Sequence, residues 1–85
     1  MTQEYIKQCI FNVLNESGIY IDEGEKNKDI DLREYLVDSL QYVNFIIEME
    51  AYLGYELPDE VLAYESLASI NGFANMIIGA HSENG

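Results

Sequence analysis

The sequence predicts an all-α protein, a small up-and-down four-helix bundle with a long connection between the first two helices and a short third helix. Apolar residues recur at helical spacing in several segments, and no alternating run is long enough to indicate a sheet. A length of 85 residues allows one domain with one modest core. We expect this domain to cover residues 1–80, with residues 81–85 as a flexible C-terminal tail that frays after Gly79.

The first helix is predicted within the segment TQEYIKQCIFNVLNESG, where Thr2 is placed to cap the helix and Gly18 to end it. Residues 19–37 lose the helical periodicity, and the charged run DEGEKNKDID within them indicates a surface loop. Leu32 and Leu36, together with Tyr35, are expected to anchor the end of this connection to the core.

The remaining helices are delimited by cap residues. The second helix should begin at Asp38 or Ser39 and run to about Leu53, where Gly54 supplies a left-handed residue.

Pro58 then ends the preceding element, and Asp59 is placed to cap a short third helix. Ser66 is placed to cap the last helix, which should end near Gly79.

Charge is distributed unevenly along the chain. The four basic residues all precede Asp38, while the 16 acidic residues lie on both sides of it and give a net charge of −12. Such a surface repels phosphate, so nucleic acid and anionic lipid are poor ligands and partners with basic patches are expected. Acidity that merely aids solubility is the alternative.

The chain has too few cysteine and histidine residues for a disulfide or a Cys/His metal cluster. Cys9 is the one cysteine and His81 the one histidine, so neither an intrachain disulfide nor a Cys/His cluster is expected. No apolar stretch approaches the roughly 20 residues that span a bilayer. We expect no membrane span, a reducing cytoplasmic location and a buried Cys9.

The second helix has apolar residues on two faces. The expected core face is formed by Tyr42, Phe45, Ile46, Met49 and Leu53. A polar stripe separates this face from Leu40, Val43 and Ile47, which recur at helical spacing. A central helix would bury both faces, whereas an exposed second face would bind another protein. We favour exposure, with Glu48 and Glu50 steering basic partners.

Ser39 has two interpretations at the start of this helix. Either Asp38 or Ser39 can cap the helix by accepting hydrogen bonds from its free N–H groups. An aspartate cap needs no serine after it, however. A hydroxyl in the first turn also lies at the positive end of the helix dipole, where a phosphate ester is stabilised. The position therefore suits a serine that carries a phosphodiester.

Four stretches of the chain resemble the acyl and peptidyl carrier protein family. They are Asp31-Leu32, the motif Asp38-Ser39-Leu40, the run LGYELPDE over residues 53–60 and the run ESLASI over residues 65–70. The three-letter motif is a weak match alone, but its distance from LPDE in a short acidic chain makes the resemblance specific.

The resemblance implies a 4′-phosphopantetheine on Ser39, transferred from coenzyme A by a phosphopantetheinyl transferase, whose thiol holds the cargo as a thioester. Asp38 would cap the helix and help position the metal and the hydroxyl during modification. Leu40, Val43 and Ile47 would contact the transferase, an adenylating acyl or aminoacyl ligase, and downstream enzymes of ketosynthase, condensation or transferase type. The protein would be a monomer and not an enzyme.

The residues before the motif bear on the pathway. Leu36 and Val37 stand where carriers of fatty acid and modular peptide synthesis usually have a glycine. The pair is more similar to free-standing carriers served by a discrete ATP-dependent ligase, including the D-alanyl type, although many of those have glycine where Tyr35 stands. A fatty acid or polyketide synthase carrier is the alternative within the family, and an unmodified helical adaptor is the alternative outside it.

Two other functions fit poorly. A hydrolase with Ser39 as nucleophile lacks an oxyanion-hole loop, and its only histidine, His81, lies in the predicted tail. An EF-hand counted from Asp22 has Gly24 third and Arg33 twelfth, so the acidic loop does not match calcium ligation.

Two expectations concern the aromatic residues. The seven tyrosines are scattered, which indicates core edges with hydroxyls facing water. Bulky Phe11, Tyr42 and Phe45 should leave little room in the core for an acyl chain.

Overall fold

The protein is described by a computed structural model covering residues 2–84, with the side chains of residues 2–81. Its elements in order are α1 (Gln3–Glu16), a first 3₁₀ turn (Leu32–Glu34), α2 (Ser39–Leu53), α3 (Asp59–Leu62), a second 3₁₀ turn (Tyr64–Ala68) and α4 (Ile70–Asn84). No strand occurs between residues 2 and 84, and the predicted all-α fold with a short third helix is confirmed.

One hydrophobic core joins the helices. α1 packs against α4 and α2, and the second 3₁₀ turn packs against α4 and the first 3₁₀ turn. Phe45 of α2 and Phe73 of α4 meet at its centre, with ring centroids 6.0 Å apart. Cys9 is buried among these apolar side chains, as predicted.

The ends of α1 and α2 follow local chemistry. The Thr2 hydroxyl accepts a hydrogen bond from the Tyr5 N–H and caps α1. Asp38 caps α2, and Gly54 ends α2 with a φ of 81° that glycine adopts without steric cost. The predicted bounds of both helices are therefore confirmed.

The long connection is anchored to the core along its second half. Leu32 and Leu36 are buried, as predicted, and Ile30 is buried with them. The Ile70 N–H donates to the carbonyl of Ile30 at 2.9 Å. This bond holds the connection against the start of α4.

Two predicted caps and one helix end are wrong. Pro58, not Asp59, precedes α3, and no side chain caps α3. Ser66 lies inside the second 3₁₀ turn, where its hydroxyl donates to the Glu60 carbonyl, and the Ser69 hydroxyl instead accepts from the Gly72 N–H at the start of α4.

α4 also continues past Gly79 to Asn84, because no residue there terminates it. Gly85 lies outside the described residues, and the flexibility of residues 81–85 stays a prediction.

Candidate functional site

Ser39 is the first residue of α2 and is exposed. Asp38 before it is extended, and its Oδ1 accepts a hydrogen bond from the Leu40 N–H at 2.7 Å. Because Asp38 already caps the helix, the Ser39 hydroxyl is not needed for capping. The structure thus leaves this hydroxyl available at the surface.

The first turn of α2 suits a phosphate ester electrostatically. α2 has 15 residues, and the aligned peptide dipoles give its N-terminus a partial positive charge. Among residues 2–84, no protein acceptor binds the N–H groups of Ser39 and Gln41. Free N–H groups at a helix N-terminus are the donors that bind phosphate, so the residues present fit a phosphate on the Ser39 hydroxyl.

The second apolar face of α2 is exposed along its length. Leu40 has an exposed fraction of 67%, Val43 of 48% and Ile47 of 56%. Val37, just before the Asp38 cap, is 74% exposed. We call Leu40, Val43 and Ile47 the docking stripe. The other helices leave it uncovered, as the sequence predicted.

The two acids predicted beside the docking stripe have different surroundings. Glu48 is exposed to solvent. Glu50 is half-buried, and its Oε2 accepts a hydrogen bond from the Leu57 N–H at 2.8 Å. Glu50 therefore also holds the loop that follows α2, a structural role that the sequence did not indicate.

Tyrosine hydroxyls are used in a way that the sequence analysis missed. Tyr42 donates to the Leu62 carbonyl, and Tyr64 donates to the Leu36 carbonyl at 3.3 Å. The prediction that such hydroxyls face water is wrong for both, because each reaches a backbone carbonyl at the core edge. Burial raises the pKa of Tyr42, which keeps its phenol protonated as a donor.

Comparison with known proteins identifies the family. The family model described as "Phosphopantetheine attachment site" matches residues 4–77, which is most of the chain. The chain belongs to this family of carrier proteins. An "Acyl carrier protein homolog" of Ureaplasma parvum serovar 3 is 32% identical over 74 residues, covering 85% of this chain and 94% of the relative. No solved structure matches the chain.

Family membership settles the class of function. The carrier has a covalently attached 4′-phosphopantetheine, is modified by a phosphopantetheinyl transferase, and delivers its cargo to acyl-processing enzymes. When bound, the prosthetic group supplies a thiol that forms a thioester. The residues of the protein supply the point of attachment for the prosthetic group and the surface around it. The carrier itself is not an enzyme.

The surface grooves on the described part of the carrier include three beside α1 and α2, and Ser39 lines none of these three. The groove beside α2 has a volume of about 120 Å³ and includes Leu36, Gln41 and Phe45 in its walls. The other two, of about 270 and 220 Å³, share Phe11 and Lys26 on the outer side of α1.

The described part of the carrier holds neither a cluster of metal ligands nor a membrane-spanning helix. No group of three or more histidine, cysteine, aspartate or glutamate side chains there is arranged to hold a metal ion. No helix between residues 2 and 84 has the length and apolar character needed to cross a membrane.

The sequence correctly placed Asp38 and Ser39 at the start of α2 and predicted the exposure of the docking stripe. It gave no sign of the exposure of Val37 or of the bond from Tyr64. The roles of these residues in modification and partner binding stay a prediction. Val37 lies outside the helices, so periodicity gave no sign that it would be exposed beside the site. Tyr64 reaches Leu36 across the fold, and no local pattern indicates such a contact.

Proposed function

We propose that this carrier bears its 4′-phosphopantetheine on Ser39 and holds an aminoacyl or other acyl group that a discrete ATP-dependent ligase loads. The observation that carries the proposal is the exposed Ser39 hydroxyl at the start of a helix that Asp38 already caps. In the modification, the Ser39 oxygen forms a bond to the phosphorus that bears the pantetheine while the phosphoanhydride bond of coenzyme A breaks. Adenosine 3′,5′-bisphosphate leaves, and the hydroxyl proton passes to a base of the transferase or to water.

The docking stripe is the proposed contact for the transferase, the ligase and the downstream enzymes. Three exposed aliphatic side chains on one helix face are a recognition surface that partner enzymes can share. No ion pair in the described part of the carrier involves Glu48 or Glu50, so both acids are proposed to attract basic partner surfaces.

Cargo and pathway follow from two different observations. The similarity to an acyl carrier protein homolog of Ureaplasma supports an acyl cargo, and a fatty acid or polyketide synthase carrier stays the alternative. The pair Leu36-Val37 before the motif supports a free-standing carrier with its own ligase. We further propose that the carrier is a cytoplasmic monomer that forms transient complexes.

Intact mass spectrometry tests the attachment site. The purified carrier is incubated with coenzyme A and a broad-specificity phosphopantetheinyl transferase, beside the variants Ser39→Ala and Ser17→Ala. Ser17 is also an exposed serine at a helix end, which makes it a matched control. Wild type and Ser17→Ala should gain one phosphopantetheinyl group, and Ser39→Ala none. Modification of Ser39→Ala at the wild-type rate would refute the assignment.

The same assay separates the carrier from an unmodified adaptor. An adaptor would keep its mass unchanged in all three samples while still binding partners through the docking stripe. Incubating the modified protein with candidate ligases, ATP and either amino acids or fatty acids then distinguishes the two pathways by the mass of the thioester formed.

A further inference from the structure

Two tyrosine hydrogen bonds tie the chain on either side of Ser39 to α3 and the second 3₁₀ turn. Tyr64, in the second 3₁₀ turn, donates its hydroxyl to the carbonyl of Leu36 at 3.3 Å, before the site. Tyr42, one turn along α2 after the site, donates to the carbonyl of Leu62 at the end of α3. The two rings meet edge to face, with centroids 5.9 Å apart. We call Tyr42 and Tyr64 the tyrosine clamp.

The tyrosine clamp holds the short exposed segment that precedes Ser39. Between buried Leu36 and the start of α2, Val37 and Asp38 are both exposed. Their backbone is held locally by the Asp38 cap. The bond from Tyr64 to the Leu36 carbonyl ties this short segment to a distant part of the chain, so the second 3₁₀ turn supports the segment that presents Ser39.

We propose that Tyr64 is a positioning residue for modification of Ser39 and that Tyr42 supports it. This inference rests on the proposed function, because it concerns the hydroxyl to which the prosthetic group is attached. Without the Tyr64 hydroxyl, the Leu36 carbonyl loses its partner, the exposed residues 37 and 38 gain alternative positions, and the Ser39 hydroxyl spends less time where the transferase needs it. The rate of the transfer depends directly on how often the hydroxyl is held close to the reacting phosphorus in the correct orientation.

The expected effect is moderate. The net contribution of one such hydrogen bond corresponds to about a two- to tenfold change in a population. Tyr64→Phe removes only the hydroxyl. The ring and its packing on Tyr42 are kept, and the docking stripe is unchanged. It should therefore lower the kcat of phosphopantetheinylation by about two- to tenfold and leave the KM for the carrier unchanged.

Tyr55 offers a matched control elsewhere in the bundle. Its hydroxyl donates to the carbonyl of Ile77 at 3.2 Å, a bond of the same type that links the loop after α2 to α4. Tyr55→Phe removes one tyrosine-to-carbonyl bond without touching the segment before Ser39, so it measures what general loss of stability does to the modification rate.

The experiment compares wild type, Tyr64→Phe, Tyr42→Phe and Tyr55→Phe by steady-state modification with coenzyme A and by amide hydrogen exchange of the unmodified chain. Tyr64→Phe should lower kcat and speed exchange in residues 37–41, and Tyr42→Phe should do the same to a smaller degree. Tyr55→Phe should change neither. An unchanged kcat in Tyr64→Phe, a change confined to KM, or an equal loss in Tyr55→Phe would overturn the proposal.

The attachment site and the tyrosine clamp can be refuted independently. If the wild-type chain is not modified at Ser39, the proposed attachment site fails. The exchange measurement does not depend on modification, and unchanged exchange of residues 37–41 in Tyr64→Phe overturns the clamp by itself.

Discussion

The Asp29 carboxylate links the long connection to the start of α4 by hydrogen bonds. Replacing Asp29 with alanine tests how much these bonds stabilise the fold. One oxygen of its carboxylate accepts from the Ser69 hydroxyl at 2.7 Å and from the Asn71 N–H at 3.0 Å. Asp29→Ala removes the acceptor of both hydrogen bonds at once. The connection then keeps the neighbouring bond between the Ile30 carbonyl and the Ile70 N–H, so we expect loosening rather than loss of the fold.

The cost follows from the chemistry of a helix cap. Removing a side chain that accepts from the first N–H groups of a helix costs about 0.5–2 kcal/mol. Asp29 is exposed, and water can bind the donors that it leaves, so we expect about 1 kcal/mol. For a domain of this size, that corresponds to a fall in Tm of roughly 4–8 °C.

The stability difference should depend on pH in a defined direction. The hydrogen bond from the Asn71 N–H, followed by that from the Ser69 hydroxyl, lowers the pKa of Asp29 below its usual 3.8. A group with a lowered folded pKa stabilises the fold fully above the unfolded pKa and loses that contribution as pH falls through the folded value. The difference between wild type and variant should be constant at neutral pH and shrink below about pH 4.

Thermal unfolding followed by circular dichroism measures this difference. Asp22→Ala, an exposed aspartate of the same connection, is the control for loss of one negative charge. Asp29→Ala should melt below Asp22→Ala at pH 7. Equal melting temperatures, or a difference that stays undiminished at strongly acidic pH, would refute the reasoning.

Three further predictions concern the site. Ile47→Ala should slow modification with stability within about 0.5 kcal/mol of wild type, whereas Ile46→Ala on the buried face should cost about 2–5 kcal/mol in urea unfolding; equal stability losses would place Ile47 in the core. Raising salt should slow the encounter of carrier and transferase, as stopped-flow association would show, and salt-independent rates would exclude steering by Glu48 and Glu50. A long acyl chain should leave the amide shifts of Phe45 unchanged, because the groove of about 120 Å³ beside α2 is smaller than a cavity of about 150 Å³ that holds benzene; large shifts would show a buried chain.

The sequence predicted the bounds of α2 because local chemistry sets them. Asp38 and Gly54 act within one turn of their own positions, so residue type and spacing were sufficient. The docking stripe was predictable for a similar reason, since helical periodicity assigns Leu40, Val43 and Ile47 to one face before any tertiary contact is known.

The start of α4 was mispredicted because a long-range contact decides it. Ser66 and Ser69 are each followed by an apolar residue, so both satisfy the local pattern of a cap. Ser69 is selected by its bond to Asp29, 40 positions earlier in the chain. Tyr64 was missed for the same physical reason, because its partner Leu36 lies far away in sequence.

The central claim is that one exposed hydroxyl, on Ser39, carries the prosthetic group. The most direct measurement is peptide mapping by tandem mass spectrometry after complete modification by a phosphopantetheinyl transferase. We predict a single modified peptide whose fragments place the phosphopantetheinyl group on Ser39. Fragments that place it on any other residue would contradict the account, as would a chain that stays unmodified.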